Sequence, residues 1–329
     1  MARNMPLYWG DFLLSWALFI GGLNAWLFAP LWFGLAGLLI GTLAAYRCGS
    51  FMHEIVHFNR RSKKEAAFKV CWNMLFGIPI LSPSHLYDAH LEHHMPDSFA
   101  TVQDPEYVPI HNRSLLGLAQ FVYGHVIGPI SMVALRMLLN PFIWLMPSLG
   151  DKLMQGKGTA LVINWDYIPT GKQKPTRFDQ AAIVMGTVLL YIYLIAIISG
   201  FVPLLVAAKI LMLVILSMVL NGIRTLVAHR YINYDRQSVS RQEQLLDSVN
   251  LIGNRFFGGL LAPVGLRFHA LHHLVQALPY HGLEEAHKKL VAELPKDDVY
   301  HSVNVTVGQA MQQLRSGDKA PSTEPIAAS

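Results

Sequence analysis

The sequence predicts an all-α integral membrane protein: four transmembrane helices in two hairpins, with a cytoplasmic helical cap carrying a histidine-rich two-metal site. Three observations lead there. Hydrophobic residues fill 53% of the 329 positions and charged residues only 14%, and the mean hydropathy of +0.34 lies on the apolar side of a soluble domain. Four apolar runs approach bilayer length and pair through short turns. Eight histidines fall into three boxes separated by long intervals: His53 and His57 in MHEIVHF, His90, His93 and His94 in AHLEHH, and His269, His272 and His273 in FHALHHL.

A hydrocarbon core about 30 Å thick needs roughly 20 apolar residues in a helix. Residues 12–29, slightly short of that, and 31–46 lie on either side of Pro30 and together form a first tight hairpin. Residues 181–199 and 201–223 form a second, hinged near Gly200. Both turns are uncharged, whereas the opposite ends carry Arg3, Arg47, Arg60, Arg61, Lys63, Lys64, Arg224 and Arg230. Those basic ends read as cytoplasmic. The first box lies about two turns past the second span, within an extension of the same helix.

Residues 115–146 are apolar enough to cross but contain His125, Arg136 and Asn140. A single crossing would put the second and third boxes on opposite membrane faces, and the segment is too short for two crossings. It is therefore expected to be interfacial or re-entrant, with residues 66–81 as a shorter surface helix. Residues 1–315 read as one domain. Residues 150–180 read as a cytoplasmic connector, 283–294 as a helix, and 316–329 as a disordered tail. A single Arg before a long apolar run, with no small-residue cleavage pattern, reads as a retained first span.

Charge and cysteine content narrow the classes of function. The net charge of +5 suits anionic headgroups, and no nucleic-acid-binding motif accompanies it. Cys48 and Cys71 are the two cysteines of the chain, too few for an iron–sulfur cluster or a disulfide framework.

On a helix, positions i, i+3 and i+4 share one face, so three imidazoles from each long box and two from the short box are expected to converge on a common volume. Eight nitrogen ligands exceed the needs of one ion and point to two. Neutral imidazole favours iron, zinc or copper over Mg²⁺ and Ca²⁺. HEIVH also matches a zinc-peptidase motif, with Glu54 as general base, but a peptidase needs about three protein ligands and leaves two boxes unexplained. Metal transport would require ionisable residues along the spans, which hold almost none. Purely structural histidines would not recur in three boxes at helical spacing.

His53-x3-His57, His90-x2-His93-His94 and His269-x2-His272-His273 together resemble the three boxes of the membrane-bound fatty acid desaturases, a group that also includes alkane hydroxylases and terminal-alkene-forming decarboxylases. The phrase LHHLVQALPYHGLEEAHKKL is similar to the bacterial branch. The resemblance implies a non-haem pair of irons that uses O₂ to oxidise an acyl chain, on the cytoplasmic face of a bacterial inner membrane. By position it also implies His229 in TLVAHRY as a ninth ligand. Relatives of the stearoyl type have an Asn one turn before that His, holding a water on the second iron; here Thr225 stands there and Asn221 lies two turns back. Acyl-lipid desaturation is the leading expectation, with decarboxylation or hydroxylation as alternatives.

The chain has no cysteine cluster, dinucleotide fingerprint or haem motif, so electrons are expected from an external ferredoxin, rubredoxin or cytochrome with its reductase. Glu54, Asp88, Glu92 and Asp247 are candidates for orienting the ligating imidazoles. Among the remaining histidines, His281, just past the third box, is the candidate for a further ligand. Arg224, Arg230 and Arg267 read as topology determinants, with capture of an anionic head group as the alternative.

Overall fold

The structure, a computed structural model, describes residues 1–148, 161–170 and 174–317. Residues 150–160 and 171–173 of the connector and 318–329 of the tail lie outside the described residues. The chain begins with helix α1 (Met5–Phe28) and helix α2 (Leu31–Val56). Asn4 caps α1 by accepting from the Leu7 amide at 3.4 Å, which starts the helix earlier than the apolar run alone indicates. The break at Pro30 falls where the sequence puts it, because a proline cannot supply the N–H that a continuous helix needs. Helix α2 continues without interruption through His53, so the first box is an extension of a long apolar helix.

Helix α3 (Lys63–Trp72), capped by Ser62, runs into a π-helical turn at Asn73–Gly77. It starts three residues before the expected surface helix and its regular part ends nine before it, where Asn73 turns inward to Ser84. Tyr8, Phe12, Phe51, Phe68, Trp72 and Phe76 interlock α1, α2 and α3 in one core. The indole of Trp72 donates to the Cys48 carbonyl and that of Trp16 to the Leu75 carbonyl, each at 2.9 Å. A short 3₁₀ turn (Ser84–Tyr87) then leads to helix α4 (His90–His93), which carries the second box.

Helix α5 (Leu115–Leu145) is followed by the hairpin of α6 (Arg177–Ile198) and α7 (Leu204–Leu226). The hairpin turns at Gly200, whose φ of +75° is a left-handed conformation open to glycine. Among the described residues five helices, α1, α2, α5, α6 and α7, are long and apolar enough to cross a membrane by length and composition. Phe28, Trp32, Ile198 and Phe201 at the two hairpin turns are exposed, as expected of surfaces that face lipid rather than water.

The contacts of α5 follow a pattern. Its first turns pack on the end of α7, with Val122 and His125 against Gly222 and Leu118 in the cluster of Leu226 and Tyr231. Farther along, Met137 lies against Gly186, and Asn140 donates to Thr187 at 2.9 Å. The α7 partners lie in the half away from Gly200, and the α6 partners lie about its middle, where Tyr191 donates to the Leu138 carbonyl at 2.8 Å. The start of α6 is fixed to α3 by the Lys69–Asp179 ion pair at 2.7 Å.

After α7 the chain builds a polar cap from α8 (Arg241–Asp247), α9 (Arg255–Leu261), α10 (His269–Leu274), α11 (Tyr280–Glu293), α12 (Val299–Ser302) and α13 (Val307–Ser316). Two short parallel strands, β1 (Asn250–Leu251) and β2 (Asn304–Val305), join its early and late parts. Phe99, Tyr107, Tyr231, Val249, Leu251, Val305 and Leu314 form the core under it. Arg230 secures the seam by donating to the Leu246 carbonyl and to the Ser302 carbonyl, the latter at 2.6 Å.

Candidate metal centre

The end of α2, the short α4, the segment after α7 and the short α10 meet beneath the cap and bring nine histidines together. They form two groups: His53, His57, His90, His94 and His272 in one, and His93, His229, His269 and His273 in the other. The ligand atoms within each group all lie within 4.8 Å of one another. All of these residues are buried except His57, which is partly so.

The boxes converge, and the grouping adds that each long box is divided between the two groups. His90 and His94 enter the first group and His93 the second; His269 and His273 enter the second and His272 the first. Helix geometry supplies the reason. At about 100° per residue, i and i+4 diverge by about 40°, whereas i+3 and i+4 diverge by about 100°. Each long box therefore gives a pair to one group and a single imidazole to the other, and neither group is complete without both boxes.

Within the groups the Nε2 atoms converge. His90 and His94 are separated by 2.8 Å, His57 and His272 by 3.1 Å, and His94 and His272 by 3.2 Å. In the second group His229 and His269 are 2.9 Å apart, and His269 and His273 are 3.1 Å apart. Several neutral imidazoles cannot satisfy one another by hydrogen bonds, since each carries one proton. Nitrogens that share one ion at about 2.1 Å stand about 3 Å apart when adjacent, so this donor set fits a metal in each group. Both ring nitrogens of His53 are buried without a partner, which fits the same reading.

The outward ring nitrogens meet carboxylates. His90 Nδ1 is 2.6 Å from Glu106 Oε1, and His93 Nδ1 is 2.9 Å from both oxygens of Asp104. Asp104 is held in turn by the amides of Ala100, Glu106 and Tyr107. Asp247 Oδ2 lies 3.3 Å from His229 Nδ1. Such contacts fix which nitrogen carries the proton and leave Nε2 free to ligate. Tyr87 stacks on His90 at 4.7 Å and donates to Glu106.

Electrostatics favour neutral ligands. Burial pushes His272 down to about 3 and holds His94 and His273 well below the ordinary imidazole range. Burial also opposes charge on His93, but Asp104 outweighs it and raises that group. Glu106 would be raised by burial, yet His90 holds it at about 2, so it stays ionised and able to accept.

Three of the four carboxylates expected to orient imidazoles do something else. Glu54 accepts from the Tyr8 hydroxyl and, at 3.4 Å, from the Tyr280 amide. One step along a helix turns a side chain by about 100°, so Glu54 faces α1 while His53 faces the metal site. Asp88 takes His85 at 2.8 Å and Arg60 at 3.5 Å, and Glu92 takes Thr170 at 2.6 Å. Only Asp247, of that set, reaches a histidine of the groups. Asp104 and Glu106 were missed; their signal was the run QDPEYVP ten residues beyond the second box, which has no helical spacing.

Other expectations resolve as follows. His229 joins the second group but lies beyond the end of α7, held by a bridge to Ser248. His281 accepts from the Asn4 amide at 3.1 Å, and His125 bonds the Phe121 carbonyl at 2.7 Å; neither belongs to a group. Asn221 accepts from Arg224 at 3.1 Å. Ala100, Tyr231 and Val264 have left-handed backbones, one beside each segment that feeds the cap side of the site, where strained conformations commonly serve function.

Comparison with known proteins agrees with this geometry. The chain is 38% identical over 307 residues to a ceramide hydroxylase of Caulobacter vibrioides (strain NA1000 / CB15N), covering 92% of this chain and 85% of that protein. No solved structure matches. The family described as fatty acid desaturase matches residues 29–304, and the chain is an oxidoreductase that belongs to that family.

Proposed function

We propose that the chain is an O₂-dependent di-iron enzyme that hydroxylates the acyl chain of a membrane lipid, and that its nine grouped histidines hold the metals. The observation that carries this reading is the division of each long box between two groups of converging Nε2 atoms. Hydroxylation is favoured by the ceramide hydroxylase relative, which aligns over most of both chains. Desaturation is the second reading, favoured by the family match. When bound, a pair of irons would supply the oxidising power toward O₂ and an unactivated C–H bond that side chains lack.

The protein's own part is to orient and to exclude water. Asp104, Glu106 and Asp247 hold His93, His90 and His229 so that each Nε2 points inward. The cap buries the site, and the ends of α2 and α7 bring it to the membrane boundary where an acyl chain can reach it. Electrons come from outside the chain, from a ferredoxin, rubredoxin or cytochrome with its reductase. By the contacts of α5, the reading includes four crossings, with α5 on the same side as the site and that side cytoplasmic. A peptidase is disfavoured because Glu54, its required base, faces Tyr8 and Tyr280.

The deciding experiment supplies iron-loaded protein with a reducing chain, O₂ and acyl lipids, and identifies products by mass spectrometry. Gain of one oxygen supports hydroxylation. Loss of two hydrogens supports desaturation instead, and a terminal alkene one carbon shorter supports decarboxylation. Peptide cleavage that persists without O₂ overturns all three.

A further inference from the structure

Three arginines were candidates for holding a head group, and the structure separates them. Arg230 is bound to the Leu246 and Ser302 carbonyls and to Gln313. Arg267 donates to the Leu251 carbonyl and covers the Phe268 ring. Arg224, in the last turn of α7, is different. It is 6% exposed and donates to Asn221 Oδ1. Its Nε has no partner, and it belongs to none of the salt bridges among the described residues.

A buried guanidinium that bonds no carboxylate directly, with Glu106 acting on it only through space, is an expensive arrangement unless an anion or strong acceptor completes it. Arg224 also lies beside the metal centre. Its neighbours include the hydroxyls of Tyr46 and Tyr87, and Tyr87 is the residue stacked on His90. Its charge acts on His90 in one histidine group and on His269 in the other. Two bound metal ions would add positive charge to this region, which strengthens the demand for a negative partner. Tyr46 and Tyr87 give their protons to the Leu261 carbonyl and to Glu106, so toward Arg224 their oxygens are acceptors, neutral ones that do not supply the charge an anion would.

We propose that Arg224 binds the acyl carbonyl oxygen of the substrate, as a carboxylate or an N-acyl amide, and so makes the enzyme oxidise a carbon close to that group. The proposal rests on the acyl-chain reading above and deepens it: the substrate is an acyl compound held by its oxygen, not an alkane held by its chain. The planar guanidinium suits such an oxygen because it offers several N–H donors in fixed directions.

The test measures binding to metal-free protein in detergent by native mass spectrometry, using palmitic acid, N-palmitoyl sphinganine and hexadecane. Wild-type protein is expected to bind at least one of the two oxygenated lipids about tenfold or more tighter than hexadecane, in line with a hydrogen bond to a charged group. Which one binds identifies the carboxylate or the amide as the source of the oxygen. Arg224→Gln should remove that preference, while the nine-histidine site still takes up iron. Should Arg224→Gln fail to fold, Arg224→Lys, which keeps the charge but not the fork, carries the test. A preference weakened by roughly threefold or more in that variant supports the proposal, and an unchanged one overturns it. Equal binding of all three probes by the wild type, or an intact preference in Arg224→Gln, also overturns it. Because binding is read without iron, reductant or O₂, failure here leaves the oxidative reading standing, and failure of turnover leaves the binding result standing.

Discussion

His93 sits in the second box by sequence and joins the pair from the third in space, and His272 sits in the third and joins the pairs from the first and second. That exchange makes the two long boxes interdependent at the level of single residues. Asp104 is the most consequential side chain outside the groups, since it is fully buried, accepts three backbone amides and meets His93. Asp104→Asn should lower metal affinity by about 10–100-fold, read by competition with a chelator, whereas Glu54→Gln should leave metal content unchanged. Wild-type affinity in Asp104→Asn would remove its orienting role. A second pair tests the ninth ligand. His229→Ala should lose metal from the second group and with it activity, while His125→Ala, whose ring bonds only its own helix, keeps both; equal metal in His229→Ala and the parent would exclude His229. The nine histidines were legible because spacing and resemblance mark them. Their allocation was not, because it depends on how two four- to six-residue helices are rotated relative to each other. Asp104 and Glu106 were illegible for a similar reason: a loop residue shows no periodicity, and its partner is chosen by tertiary contact.

At the scale of elements, the first hairpin is held by glycines that let two backbones approach. A Cβ built on Gly22 would stand 2.5 Å from the Gly41 nitrogen, and one on Gly37 would stand 2.7 Å from the Gly22 carbonyl. Small residues at such crossings are the usual means of packing helices in lipid, where no hydrophobic force drives them together. Gly37→Val should therefore destabilise the protein by about 1–3 kcal/mol, measured by denaturation in mixed micelles; an unchanged midpoint would show that the close approach is not needed. Lys209 ties this hairpin to the second one. Its ammonium caps α1 through the Trp26 carbonyl at 3.0 Å and lies 4.8 Å from the centre of the Trp26 ring. The spans were legible from hydropathy to within a few residues, apart from the start of α1, where the Asn4 cap extends the helix outward, and the end of α2, which the first box had already marked. The glycine contacts and the Lys209 cap were not, since both require knowing which faces meet.

For the molecule as a whole, the open matter is how often the chain crosses the membrane, because five helices have the length and composition to do so. The metal centre constrains the count. His94 precedes α5, His229 follows the α6–α7 hairpin, and the two groups they join lie side by side, with the His94 and His273 rings 4.4 Å apart. A hairpin that enters and returns changes nothing in the parity of crossings. A single crossing by α5 would therefore separate His94 from His229. The contacts of α5 add to this: its beginning packs near the end of α7, away from Gly200, and its later turns pack against the middle of α6, from Gly186 to Tyr191. Its apolar surface, including Leu116, Tyr123 and Phe142, is exposed and would rest in the interfacial layer of one leaflet. Single cysteines introduced at Asn112 and Met146, on either side of α5, should thus react with an impermeant thiol reagent from the same membrane face, and a cysteine at Phe201 from the opposite one. The background is manageable, for Cys48 is fully buried and Cys71 partly so, and both can be replaced by Ser. Labelling of positions 112 and 146 from opposite faces would make α5 a fifth span and would break the four-crossing reading together with the shared site it supports.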